Sequence, residues 1–436
     1  MMRILDLRDL QPTRSELGEL VPRASVDVSI ATSTAHDLIN DVRMNGELAL
    51  VEQAERLDGV RPPRIRVHAD EISAAVRGLR PEVREALEAA IDRVRLVSEG
   101  QVPAGAVTEV APGARIIQRW QPVTRVGLYV PGGKAVYPSS VVMNVVPAQV
   151  AGVSSLAIAS PPQRGFAGAV HPTILGAAGL LGIDEVYAMG GAGAIGALAY
   201  GVPDLSLEPV DVITGPGNVY VAAAKRLVRG VVGIDSEAGP TEILVIADAS
   251  ADATLVAADL VSQAEHDELA AAVLVTDSEE LATAVMAEVA RLAQATAHTD
   301  RVAIALRGEQ SAVVLVSDLA AGAAFSNAYG PEHLELQVRD TGALLDRIDN
   351  AGAIFLGAYS PVSLGDYLAG SNHVLPTGGQ SRFSSGLGAY TFLRPQQVIE
   401  YDRDALRDVE SRIVALSSAE DLPAHGDAVT ARFPER

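Results

Sequence analysis

From Arg125 onward, short β-branched and aliphatic runs alternate with helical stretches: RVGLYV, SLAIAS, EVYAM, DVIT and EILVIAD, then AAVLVT, SAVVLVS, HLELQV and AIFLG. Runs of this length separated by helices such as 278–294 are the pattern of β-α-β crossovers, in which helices cover both faces of a parallel sheet. Two doubly wound α/β units are expected. Gly239-Pro240 offers a return point between them, with the first series inserted into the second. Upstream, apolar residues recur at three and four from Ser33 to about Gly59 and from Asp70 to about Gly100, which predicts two long amphipathic helices. The expected division is an arm over 1–24, a first α/β domain over 25–124 plus 241–378, an inserted second α/β domain over 125–240, and a small, mainly helical tail over 379–436.

Acidic residues outnumber basic ones by 55 to 34, a net charge of −21 that repels phosphate backbones and anionic membranes. The most apolar stretch, Gly165 to Gly201, is interrupted by His171, Pro172, Asp184 and Glu185 and cannot cross a bilayer. MMRILDLRDL carries acids where a secretion signal needs an apolar core, so the cytoplasm is the expected location. No nucleic-acid or membrane partner is expected. The chain has no cysteine, which removes disulfides, thiolate metal ligands and thiol nucleophiles together.

Gly191-Ala192-Gly193-Ala194-Ile195-Gly196 follows EVYAM and fits the dinucleotide fingerprint, whose glycines let a pyrophosphate approach a helix N-terminus. The acid that should take a ribose at the end of the next strand is missing, since Asp211 stands at that strand's beginning, so the units read as incomplete Rossmann-like folds. Tight Gly/Ala packing between helix and sheet explains the same glycines. Val130-Pro131-Gly132-Gly133 and Gly215-Pro216-Gly217-Asn218 also follow strands, and three such turns suggest one crevice, although any turn favours glycine. Gln263 and His266 end a helical segment; if the helix runs through, they share a face and could reach one ion, while a helix-end cap explains them as well. Glu332-His333 sets an acid beside a base at a loop-to-strand junction, either a proton-transfer pair or a surface pair. The segment 365–379, GDYLAGSNHVLPTGG, is too rich in Asp, Asn and His for an idle linker. Glu420 and His425 lie in the tail, where solvent exposure is the default.

Taken in order, GPGN, SQAEHDELAAAVLVT, GPEHLEL and GDYLAGSNHVLPTGG resemble the histidinol dehydrogenases, over nearly the whole chain. The resemblance implies a homodimeric enzyme with one zinc per subunit, oxidising L-histidinol through L-histidinaldehyde to L-histidine with two NAD. By position it implies Gln263, His266, Asp366 and His425 as zinc ligands, His425 reaching in from the partner subunit. It implies His333 as the general base and Glu332 as the group that activates water. Thr241, His373 and Glu420 match substrate-contacting positions, Glu420 again from the partner; the metal ligands and His333 also face substrate. Tyr129, Gly193 and Asn218 match cofactor-contacting positions. The first α/β domain would carry the metal and catalysis, the inserted one the cofactor, and the tail the dimer contact. Two departures stand out: Gly193 occupies a position where many members carry Gln, and Thr241 one where Ser is common.

Zero cysteine agrees with these roles. Without a thiohemiacetal, an aldehyde reaches the acid through its hydrate, which needs a base for water and a fixed positive centre. Another NAD-linked dehydrogenase of a small alcohol or diol on the same scaffold would keep the zinc and the Glu-His pair; Glu420 and His373 favour histidinol. A two-lobed binding protein without chemistry would have no use for Glu332-His333.

Overall fold

Strands that are apolar at every position need cover on both sides, and the computed structural model supplies it twice. It describes residues 2–10, 13–23, 28–132, 136–237 and 239–434. One sheet is wholly parallel, with six strands in the spatial order Arg3–Asp6, Ala312–Leu315, Ala271–Thr276, Glu242–Ala247, His333–Gln337 and Ala353–Leu356. The four inner strands are buried throughout. Alternation sends Ile243 and Val245 toward helices Ala253–Ala264, Glu279–Ala295 and Thr299–Arg307, and Leu244 and Ile246 toward helices Arg14–Leu20 and Leu319–Tyr329.

The second sheet is also parallel, in the order Val186–Ala188, Ser155–Ser160, Arg125–Tyr129, Val212–Thr214 and Gly233–Ile234. Val126 and Leu128 face helix Pro138–Ala151; Tyr129, Ala157 and Ala159 face helices Gly191–Tyr200 and Val219–Val228. The fold is therefore α/β with two parallel sheets, as the run pattern implies.

Three features differ from the expectations. The helices within 28–99 pack on the five-stranded sheet, not with the six-stranded one. The arm contributes an edge strand, Arg3–Asp6, too short to carry a period. The tail is not simply helical: Leu393–Tyr401 pairs antiparallel with Ala114–Pro122, which pairs with Ala106–Ala111, before helices Arg403–Ala419 and Pro423–Thr430. Ala106–Ala111 is exposed at every residue, and Pro395 sits in an edge strand where its missing N–H does no harm.

Below the mouth of the six-stranded sheet, Asp259 on helix Ala253–Ala264 meets Glu335 on strand His333–Gln337. Burial, then the neighbouring Asp259 carboxylate, pushes Glu335 up to about 9. A carboxyl held protonated in the folded state binds more protons than the unfolded chain does between its ordinary value and 9. Its contribution is full below about pH 4.5, the ordinary value, and is lost as pH rises toward 9. Urea unfolding of Glu335→Gln at pH 6 and pH 9 is expected to show a smaller loss of stability with pH than the parent; an identical slope counts against the shared proton.

Candidate active site

The cleft between the sheets has a volume of about 1450 Å³. Its two walls have opposite polarity. From the five-stranded sheet come the carboxyl-end turns at Pro131 and Gly132, at Gly190, Gly191 and Ala192, and at Pro216, Gly217 and Asn218; Gly133 lies outside the described residues. From the six-stranded sheet come the beginnings of two adjacent strands, Thr241-Glu242 and Glu332-His333. The segment 365–379 crosses between them, with Asn372 Nδ2 donating to Met143 O at 2.6 Å.

His333 is buried, and its Nδ1 lies 3.0 Å from the carbonyl oxygen of Glu242. A carbonyl only accepts, so Nδ1 carries the proton and Nε2 keeps the free lone pair. Burial depresses the imidazole below its ordinary value, opposed by the Asp366 charge and the Glu242 carbonyl, which keeps the ring neutral. Glu332 Oε2 accepts from Thr241 Oγ1 at 2.6 Å and from the Glu242 N–H at 2.9 Å. Burial pushes this carboxyl up to about 7 against those two bonds and the charge of His266, with Asp366 adding to the rise. Glu332 and His333 thus lie side by side, 3.5 Å apart, each titrating away from its usual range.

Thr241 links the pair to Gln263, whose Nε2 donates to Thr241 Oγ1 at 2.6 Å, leaving the amide oxygen to face other partners. The helix does not run through to His266: it ends at Ala264, and His266 sits just beyond, its N–H donating to Gln263 O at 3.2 Å. His266 and Asp366 both line the cleft, and both charges act on Glu332 and His373. An amide oxygen, an imidazole and a carboxylate are a donor set that suits a catalytic zinc with open positions. Among the described residues no three His, Asp or Glu side chains are placed to hold an ion by themselves, so this set fits a metal only as a partial shell. His373 is held at both nitrogens, Nδ1 donating to Asp366 O at 2.9 Å and Nε2 lying 3.1 Å from Ser140 Oγ.

Tyr129, Asn218, Thr241, His266, Glu332, His333, Asp366 and His373 therefore line one cleft, with Gln263 bonded to its wall. Three candidates do not. Gly193 is buried in helix Gly191–Tyr200, where a Cβ would overlap Gln53 Oε1; the cleft meets Gln53 itself and the turn just before Gly193. Glu420 and His425 are exposed on the tail and do not reach the cleft of their own chain.

Sequence reasoning missed two supporting ion pairs. Arg23, from the arm, pairs with Glu242 and bonds Tyr329 O, bracing the residue whose backbone holds Glu332 and His333. Lys225 is fully buried, donates to Gly215 O at 3.0 Å and pairs with Asp235, whose other oxygen accepts from Gly215 N at 2.8 Å. They lock a turn in which Gly215 has φ +110° and any Cβ would overlap Tyr129 O. The one available signal was a lysine inside the apolar helix VYVAAAKRLV.

Residues 21–433 match the family model described as histidinol dehydrogenase. The histidinol dehydrogenase of Leifsonia xyli subsp. xyli is 71% identical over 435 residues, covering 100% of both chains. That of Thermobifida fusca is 56% identical over 100% of this chain and 99% of its own. The crystal structure of histidinol dehydrogenase from Elizabethkingia anophelis superposes with a TM-score of 0.93 at 33% identity, covering 99% of this chain and 98% of that one. The match runs from the arm through both sheets into the tail, and it gives the cleft its chemical class: the chain belongs to the histidinol dehydrogenase family and is an oxidoreductase.

Proposed function

We propose that the protein oxidises L-histidinol through L-histidinaldehyde to L-histidine, closing histidine biosynthesis, with two NAD and one zinc per subunit. It works as a cytoplasmic homodimer with shared sites. The observation that carries this reading is the buried Glu332–His333 pair, with the imidazole fixed in its basic orientation by Glu242 O, on a cleft whose opposite wall is three glycine turns. No described helix is long and apolar enough to cross a membrane.

Gln263, His266 and Asp366 would hold the ion, with the partner subunit's His425 completing the protein donors. Zinc, when bound, supplies a positive centre that orients the alcohol and polarises the carbonyl. NAD, when bound along the glycine turns beside Tyr129 and Asn218, accepts the hydride. His333 Nε2 takes the hydroxyl proton as hydride leaves carbon. Glu332 takes a proton from water as its oxygen adds to the aldehyde carbon, while protonated His333 returns its proton to the carbonyl oxygen, giving the hydrate and freeing Nε2 again. His333 then takes one hydrate proton as the second hydride leaves, and the acid so formed loses its remaining proton to solvent to become the carboxylate. A carboxyl held near 7 is suited to gaining and losing a proton in the working range. Thr241, His373 and the partner's Glu420 flank the substrate, and residues 125–240 form the cofactor side.

The test is NADH yield on limiting L-histidinol, before and after chelation and after zinc is restored. Two NADH per histidinol, lost on chelation and regained with zinc, is expected. One NADH per histidinol overturns the double oxidation; full activity in metal-free protein overturns the ion.

A further inference from the structure

A dinucleotide site on a parallel sheet pairs a glycine turn with an acid that accepts from the two hydroxyls of a ribose. The five-stranded sheet lacks that acid. Asp211 lies at the far end of its strand, where Oδ2 accepts from the Thr124 and Arg125 N–H groups at 2.7 and 2.9 Å. Asp235 is engaged by Gly215 and Lys225. The described residues lining the cleft include six carboxylates: Asp58, Glu237, Glu242, Asp267, Glu332 and Asp366. Glu332 and Asp366 belong to the catalytic cluster; Glu237 pairs with Arg226, Glu242 with Arg23, and Asp267 accepts from Leu269 N. Outside the catalytic cluster, Asp58 is the one whose carboxylate accepts no hydrogen bond among the described residues.

The backbone at Asp58 is nevertheless tightly held. It closes a single π-helical turn, Ala54–Asp58, at the end of helix Val28–Gln53, and such turns concentrate at functional sites. Its carbonyl accepts from Arg164 Nε at 2.6 Å, and Gly59 follows at φ +67°, where a Cβ would overlap the Arg164 guanidinium. The carboxylate is within electrostatic reach of Tyr129, adding to the burial that pushes that phenol up to about 12. The Tyr129 hydroxyl in turn accepts from Gly191 N at 3.2 Å, at the start of helix Gly191–Tyr200. A fixed, partly buried acid beside the fingerprint turn, attracted by the Arg164 guanidinium but accepting no hydrogen bond at its carboxylate, is what a ribose diol requires.

We propose that Asp58 is the ribose-binding acid of this cleft, its carboxylate accepting from the vicinal hydroxyls of one ribose of the dinucleotide. The acid comes from the N-terminal helical layer, not from the sheet. This assignment rests on the NAD reading above.

The test is calorimetric titration of the full-length, zinc-loaded protein with NAD and with ADP, for the parent, Asp58→Ala and Asp58→Asn. Two hydrogen bonds to a charged group lead to an expected weakening of NAD binding of about tenfold or more in both variants, with the affinity for histidinol unmoved. ADP carries only the adenosine ribose: parallel weakening of ADP places Asp58 there, while NAD weakening alone places it on the nicotinamide ribose, and either supports the proposal. A parent that binds NAD together with variants that bind it equally well overturns the assignment and leaves the cofactor reading standing. A parent that binds no NAD overturns both. The Asp58 carboxylate accepts no hydrogen bond from a described residue, and the backbone carbonyl that accepts from Arg164 Nε is kept in either variant, so the near-isosteric Asp58→Asn keeps the fold even where Asp58→Ala loses it.

Discussion

His333→Asn lowers NADH formation from L-histidinol by ~10²–10⁴, the usual worth of a positioned acid–base group. The loss is expected to be the same from added histidinaldehyde, because in the proposed mechanism one nitrogen serves both hydride steps. Glu332→Gln behaves differently. In the proposed mechanism its carboxylate takes part only in water addition, so the variant is expected to be slow from histidinol to acid but much less slow when the aldehyde hydrate is supplied. The amide fits the same space and keeps an oxygen for Thr241 Oγ1 and the Glu242 N–H. Stopped-flow NADH traces from alcohol, aldehyde and hydrate separate the two cases. Equal losses from all three starting points in Glu332→Gln would remove its role in water activation.

Mixing two inactive variants restores activity. Glu332 lies in the cleft and His425 on an exposed tail helix that does not reach it; on the proposed shared site, the first residue comes from one chain and the second from its partner. In a two-fold dimer carrying Glu332→Gln on one chain and His425→Asn on the other, one site takes both lesions and the other takes neither. Random reassortment makes half the dimers mixed, so activity is expected to recover to about a quarter of the parent's. Subunit exchange is verified by mass labelling before the assay. Exchange without recovery would show that His425 serves its own chain or none.

The strand order was not legible in the sequence, but nine strands of the two parallel sheets were. Runs such as EILVIAD and AAVLVT are apolar through their centres and buried at every strand position because both faces are covered, so polar residues mark only their ends. Helical periodicity between Ser33 and Gly100 gives a face without naming what covers it, so those helices were referred to the wrong sheet. The antiparallel hairpin escaped because Ala106–Ala111 buries neither face. At the site, residues whose chemistry is local could be read from motifs, as with Glu332-His333. Arg23, Lys225 and Asp58 act through partners more than a hundred residues away or through a backbone turn, and no local spacing marks them. Lys225 is the partial exception, its partner Asp235 lying only ten residues on. Gly193 fails for a related reason: the motif gives its place in a turn, while the neighbouring helix puts Gln53 against it.

The first strand to be synthesised is among the last to find its place. Arg3–Asp6 pairs only with Ala312–Leu315, whereas the five-stranded sheet draws on residues 125–234 alone. On the ribosome the five-stranded sheet has its full complement of strands before Glu242 emerges, and chains condense as units in the order they are made. The start of the chain must wait some three hundred residues for its neighbour, a contact separation that slows folding. Glu332 and His333 emerge later still, so a truncated chain ending before them can carry one formed wall of the cleft without the acid–base pair of the other.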